Sequence, residues 1–361
     1  MIRPGRWKRA LFAALAGCVL ALPAAELLVL AVAGEQPKFP RHVVGAPWGL
    51  RINEPGSRYR HKSRDVEVHF AINAQGLRAD HDVAYAKPPG TRRIVCLGDS
   101  FTIGYEVEEA ECFPRVLESE LRGRGRPVEV LNAGVSGFSN AEECLYLERE
   151  LHRYAPDVVC LSFFQNDLAD NVRTGLFTLS DGKLVEAGSE YVPAGRLGNF
   201  LNTNAFFNVL SERSNAFAFL KEAWTRRIKQ GMVEENQVAA GSATSAAATP
   251  AAPAEYERRL CAAILERMYA WTRERGIAFV IQSIPFPSDA DPARLDDLFP
   301  HELFDVTRPG IVFFAAKHVL EPHVATELLY WQHSHSHWTP IAHRLAGKGL
   351  AESIARAGLL E

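Results

Sequence analysis

The sequence predicts an α/β domain built on a parallel sheet covered by helices. Three observations carry that expectation. Short apolar runs at residues 92–97, 128–131 and 157–164 alternate with stretches at helical spacing. The first of them, Arg92-Arg93-Ile94-Val95-Cys96-Leu97, ends abruptly at Gly98 and is continuously apolar at its centre, as a strand buried on both faces must be. Two more runs, at 277–284 and 311–314, follow an amphipathic stretch at 255–275. Strands and helices in this order build right-handed crossovers and a parallel sheet.

The elements follow in order along the chain. Arg3, Arg6, Lys8 and Arg9 precede an apolar stretch at 10–33. As a helix it could span about 30 Å of hydrocarbon, and its cationic flank would keep the N-terminus on the cytoplasmic side. Residues 1–34 are therefore expected to be a transmembrane anchor or signal segment, giving a single-pass protein of the cell inner membrane with a periplasmic domain. Pro23 and Glu26 interrupt the stretch. A cleaved signal peptide is one rival reading. A lipoprotein anchored at Cys18, in Leu15-Ala16-Gly17-Cys18, is another.

Residues 35–90, rich in Pro, Gly and charge, read as a stalk and lead-in. The domain proper is expected at 91–361, with helical spacing at Val116, Leu117 and Leu121 and a helix at 142–154. An insertion at about 170–255 breaks the rhythm. Within it, 177–185 reads as a hairpin with an Asp181-Gly182 turn, and 206–224 as helical and aromatic-rich. Residues 237–254, almost wholly Ala, Ser, Thr, Pro and Gly, read as a disordered loop. One domain with an insertion accounts for this better than two.

A net charge of −3 with no basic cluster beyond the N-terminus excludes a nucleic-acid partner, which requires a basic face. The six cysteines show no zinc spacing. Cys96 and Cys160 lie in strand-like runs and behave as small hydrophobes. Cys112 and Cys144 are the better disulfide candidates, should the domain be exported.

Four motifs reach the same address. Gly98-Asp99-Ser100 falls at the carboxyl end of the first strand, the edge where open parallel sheets bind ligands. Ser100 there either caps the next helix or offers its hydroxyl and N–H to chemistry. Asn132-Ala133-Gly134-Val135-Ser136-Gly137 follows the second strand, and Gln165-Asn166-Asp167 ends the third. His337-Trp338-Thr339-Pro340 precedes a final helix at 343–357. Asp99 and Asp167 read as structural, orienting the Ser100 and Asn166 loops.

These motifs resemble the SGNH, or GDSL, esterase and lipase family, of the exported, membrane-anchored bacterial type. Its four markers fall on Ser100, Gly137, Asn166 and His337, and the segment Ile72-Asn73-Ala74-Gln75-Gly76-Leu77-Arg78 resembles a lead-in of such members. The resemblance implies a flavodoxin-like three-layer sandwich on a sheet of about five strands, without a G-x-S-x-G elbow. It implies Ser100 as nucleophile, His337 as general base, and an oxyanion hole from the N–H groups of Ser100 and Gly137 and the Asn166 amide. No metal or organic cofactor is implied. The implied reaction is hydrolysis of O-acyl esters on extracytoplasmic glycans or lipids.

One departure stands out. The family places an aspartate two or three residues before the histidine, to orient the imidazole; here those positions hold His335 and Ser334. Another carboxylate, Glu327 or Asp305, could reach His337. A backbone carbonyl could serve a Ser-His dyad. Or the site is impaired and the chain is a glycan-binding module; an O-acyltransferase is a further alternative. The alternate histidines 333, 335 and 337 lack a neighbouring cysteine or carboxylate cluster and do not point to a metal.

Overall fold

The structure, a computed structural model, describes residues 6–192, 204–243, 253–291 and 293–361. Five parallel strands form its centre: β1 (Arg92–Leu97), β2 (Val128–Asn132), β3 (Val158–Phe163), β4 (Ala278–Ser283) and β5 (Ile311–Ala315). Their order across the sheet, β2-β1-β3-β4-β5, is that of flavodoxin-like folds, with the chain reversing direction at β1 and β3. The crevice outside the carboxyl ends of those two strands is where such a sheet collects its loops.

Alternation along each strand explains the two helical layers. Val95, Leu97, Val159, Leu161, Phe279 and Ile281 face one side, where they pack against α4 (Asn140–Arg149), α5 (Asn166–Thr174) and α8 (Pro253–Glu274). Ile94, Cys96, Val158, Cys160 and Val280 face the other, against α3 (Phe113–Gly123) and α10 (Pro340–Arg356). Burying each large apolar side chain contributes about 1.5–3 kcal/mol. Both layers are needed, because every strand presents apolar groups on both faces.

Residues 35–90 fold onto this domain. Val43–Gly45 pairs with Arg51–Asn53, and Arg58–Lys62 with Glu67–Ala71, all antiparallel. Leu50, Ile52, Leu77 and Val83 join the main core. Phe39, Tyr59, Val68, Phe70 and Ile72 form a third apolar cluster with Ile103 and Tyr105, beside the site described below.

In the insertion, Phe177–Ser180 and Lys183–Glu186 make the expected hairpin, with Asp181 and Gly182 at φ 50° and 74° as a two-residue primed turn requires. Helices α6 (Ala205–Arg213) and α7 (Asn215–Ala243) follow. Of the loop expected at 237–254, residues 237–243 belong to α7, 253–254 open α8, and 244–252 lie outside the described residues. The described cysteines, Cys96, Cys112, Cys144, Cys160 and Cys261, are free and buried, so Cys112 and Cys144 are not bridged.

The expected inner-membrane anchor is corrected. Among the described residues no helix is long and apolar enough to cross a membrane. Arg6–Ala33 is helical (α1), but Pro23 lies inside it and Glu26 charges its second half. The Glu26 carboxylate is taken up by the start of α7: it accepts hydrogen bonds from Ser214 Oγ, from Asn215 N at 2.9 Å and from Ala216 N at 3.3 Å. Single-pass anchoring in the inner membrane is therefore not supported. The rival lipoprotein reading falls on Cys18, whose side chain lies outside the described residues.

Candidate active site

Ser100 is positioned by its two predecessors. A Cβ at Gly98 would stand 2.0 Å from Thr102 Oγ1, so only glycine lets β1 turn directly into the short helix α2 (Ser100–Ile103). Asp99 caps that helix, its Oδ1 accepting from Phe101 N at 2.9 Å. Capping is thus done by the neighbour, and the Ser100 hydroxyl is left for His337: Oγ lies 2.8 Å from Nε2.

His337 arrives on a loop closed by its own sequence. Trp331 N donates to His337 O at 3.0 Å and Thr339 N to Leu329 O at 2.9 Å. Trp338 is fully buried in the apolar layer beneath. Thr339 then caps α10 and Pro340 opens it, as suits a residue with no N–H to satisfy. The run His-Trp-Thr-Pro is therefore a histidine, a plug, a cap and a helix start.

The carboxylate that meets His337 is Glu106. Its Oε2 lies 2.9 Å from His337 Nδ1, and its side chain is fully buried. Asp305 is engaged elsewhere, accepting from Thr307 N at 2.9 Å and Thr307 Oγ1 at 2.7 Å, and Glu327 is exposed. His333 pairs with Asp65 at 2.7 Å, and the His335 ring centre stands 6.0 Å from that of His337. Neither Ser334 nor His335 contributes an acid. Among the described residues no group of His, Cys, Asp or Glu is arranged to hold a metal ion.

Glu106 owes its place to an arginine. After α2, Gly104 turns the chain at φ 74° and Tyr105 packs into the third apolar cluster. The fully buried Arg78 guanidinium lies against the Phe70 ring, 3.9 Å from its centre, and donates to the carbonyls of Ile103, Gly104 and Val107. Three carbonyls around Glu106 are thereby fixed by one side chain, and Trp331 Nε1 donates to the Glu106 carbonyl at 3.2 Å. The lead-in ending at Arg78 thus positions the acid.

The remaining markers converge on the same crevice. Gly137, at φ 74°, follows β2, and its carbonyl accepts from Arg173 Nη2 at 2.9 Å and from Arg51. Arg51 in turn holds Glu142 with a two-point pair, 2.7 and 3.0 Å, at the start of α4. Asn166 begins α5, its Nδ2 lying 3.2 Å from Asp99 Oδ2 and 3.4 Å from Asp170 Oδ2. Neither the Ser100 nor the Gly137 N–H is spent on a hydrogen bond among the described residues. Asp167 accepts from Phe164 N at 2.9 Å, fixing the Asn166 turn. Burial pushes Asp99 above the usual carboxylate range, against the lowering pull of the Phe101 N–H, His337 and the Asn166 amide.

Fold and crevice together bring a serine, a histidine and a carboxylate to the carboxyl edge of a flavodoxin-like parallel sheet, without a nucleophile elbow. No family model matches the chain. An arylesterase from Vibrio mimicus is 28% identical over 82 residues, which are 23% of this chain and 41% of that protein, so the match spans less than half of the relative's length. The solved structure of TesA superposes with a TM-score of 0.40 at 14% identity, covering 73% of this chain and 99% of that one. An acetylxylan esterase from Geobacillus stearothermophilus gives 0.39 at 10% identity, over 73% and 94% of the two chains. A GDSL-like lipase from Bacteroides thetaiotaomicron gives 0.36 at 13%, over 76% and 93%.

Proposed function

We propose that the chain is a serine esterase that hydrolyses O-acyl esters, with Ser100 as nucleophile, His337 as general base and Glu106 as the acid that orients it. The observation that carries this reading is the continuous relay from Ser100 Oγ to His337 Nε2, at 2.8 Å, and from His337 Nδ1 to Glu106 Oε2, at 2.9 Å. With a carboxylate oxygen accepting at Nδ1, the ring hydrogen sits on Nδ1 and Nε2 is free to take the serine proton.

The steps follow. His337 Nε2 removes the Ser100 proton as Oγ bonds to the ester carbonyl carbon. The resulting oxyanion is met by the N–H groups of Ser100 and Gly137 and by the Asn166 amide, whose 3.4 Å contact to Asp170 is weak enough to yield. The protonated imidazole gives its proton to the departing alcohol oxygen, leaving an acyl-Ser100. Water then repeats the cycle, losing its proton to His337 and releasing the carboxylic acid. Acyl esters of carbohydrates or lipids are the substrate class this reading assigns. The impaired, purely binding alternative was motivated by a histidine without an acid, and Glu106 removes that motive.

The test is turnover of p-nitrophenyl acetate together with labelling of Ser100 by a fluorophosphonate. The proposal expects both in the natural chain and neither in Ser100→Ala. No turnover and no labelling in a folded natural chain would overturn it.

A further inference from the structure

Beside the relay stands a group of cations that the ester chemistry does not use. A Cβ placed on Gly137 would lie 3.8 Å from Arg41 Nη1, 3.8 Å from Lys229 Nζ and 3.9 Å from Arg51 Nη1. Three positive groups thus surround one point next to a proposed oxyanion donor. Arg51 is matched by Glu142. Arg41 and Lys229 have no ion pair among the described residues; the one side-chain partner of Arg41 is the Tyr105 hydroxyl, at 3.4 Å. Lys221, about two helical turns before Lys229 in α7, donates to Ser211 Oγ at 3.3 Å and has no ion pair among the described residues.

Two carboxylates lie nearby, and the charge of Glu222 acts on both Arg41 and Lys221. Glu222 pairs with Arg226 at 3.7 Å, and Asp170 with Arg173 at 3.0 Å. Unpaired cations in a partly buried recess repel one another and lose hydration, so they are costly unless an anion joins them. Lys229 records that cost: burial, and then the charge of Arg41, push it down to about 7. The same two causes bring Lys221 down to about 8. The cations come from the 35–90 segment and from α7 of the insertion.

We propose that the ester this site takes carries an anionic group, a carboxylate or a phosphate, close to the scissile carbonyl, and that Arg41 and Lys229 bind it. An arginine offers a planar oxyanion a two-point hydrogen bond, and a lysine adds a point charge. The assignment rests on the esterase reading, because the recess is placed by its distance from Gly137.

Three acetylated sugars test it: O-acetyl glucose, O-acetyl glucuronate and O-acetyl glucose 6-phosphate. The expected result is a kcat/KM for at least one charged ester about tenfold or more above that of the neutral one, with the two charged arms deciding between carboxylate and phosphate. In Arg41→Met and Lys229→Met that selectivity ratio falls by about tenfold or more, through KM. A ratio near one in the natural chain overturns the proposal. So does a variant that lowers kcat on all three sugars by the same factor, since the cations would then serve the oxyanion. Calorimetric binding of glucuronate and of inorganic phosphate to Ser100→Ala separates the two readings. Binding that is lost in Ser100→Ala combined with Arg41→Met supports the anion site even if the natural chain hydrolyses nothing. Absence of binding overturns the anion site while leaving p-nitrophenyl acetate turnover to judge the esterase.

Discussion

Glu106 Oε2 sits 2.9 Å from His337 Nδ1 although 231 residues separate the two along the chain. The contact makes the first prediction specific. Glu106→Gln keeps the shape and removes the charge, which favours the wrong imidazole tautomer and lowers kcat on p-nitrophenyl acetate by about 10³–10⁴-fold with the fold intact. Glu327→Gln and Asp305→Asn leave kcat within twofold of the natural chain. Steady-state kinetics on the three variants decides the matter, and loss of activity in Glu327→Gln would count against the relay.

Arg78 is expected to act on catalysis only through the loop it clamps. Arg78→Met leaves the Ile103, Gly104 and Val107 carbonyls without their donor, at a cost of about 1–3 kcal/mol for each one that stays buried and unpaired. The melting temperature falls, and kcat falls more than KM rises. Arg78→Lys, with one ammonium in place of a fork, rescues neither fully. An Arg78→Met protein with natural kcat would show that the loop needs no clamp.

Asn166→Ala removes one of the proposed oxyanion donors and is expected to cost about 10²–10³-fold in kcat with little change in KM. The variant also removes a partner of the Asp99 carboxylate, so circular dichroism accompanies the kinetics. A loss confined to KM would assign Asn166 to ground-state binding instead.

Two buried histidines set an acid limit on stability. Burial holds both His61 and His343 down to about 3, with Arg78 adding to the same direction in each and backbone carbonyls opposing it at His61. Both are neutral in the folded chain while the unfolded chain titrates near 6.5, so the unfolded state binds more protons between these values. Stability contributed by the neutral rings is complete above pH 6.5 and is lost as pH falls toward 3. Melting temperatures from pH 7 to pH 4 should decline, and less steeply in His343→Asn, whose Oδ1 can still accept from Phe113 N as the His343 Nδ1 does at 3.2 Å.

Lys229 gives the anion recess a pH signature. It is faced by Arg41, Arg51 and Arg173 and by one acid, Asp170. Free Lys229 loses its proton near pH 7, and a bound anion favours the ammonium form. Binding of glucuronate is therefore accompanied by proton uptake above pH 7 and weakens as pH rises, an effect absent in Lys229→Met. Calorimetry in buffers of different ionisation enthalpy reads the uptake directly.

Much of this was legible from residue order. Alternating apolar runs and helical spacing predict the five strands, because strands buried on both faces leave an unmistakable continuous apolar pattern, as at 92–97 and 157–164. The loops bearing Ser100, Gly137, Asn166 and His337 are legible because parallel strands deliver their loops to one edge, and the resemblance names those four residues within them. Glu106 is not legible, since nothing in the spacing of a residue from the opposite end of the domain shows which carboxylate meets a histidine. The one local signal was chemical: Glu106 is the lone charge within Phe101-Thr102-Ile103-Gly104-Tyr105-Glu106-Val107, where each neighbour is buried. Residues 35–90 were read as a stalk because their Pro, Gly and charge content resembles a tether. Arg51 and Arg78 are instead buried in the domain, where Arg51 pairs with Glu142 and Arg78 donates to the carbonyls of Ile103, Gly104 and Val107.

Because Ser100 and Glu106 lie on one short stretch of backbone, pinned at both ends by Asp99 and Arg78, they behave as a single rigid jaw. The loop bearing His337 is the other jaw, and it closes on both at once. A displacement of that loop by about one ångström would lengthen both contacts of His337 at once, so hydroxyl and carboxylate are held or lost as a pair. The seat of Trp338 in the layer beneath, one residue on from His337, therefore sets the geometry of both contacts together.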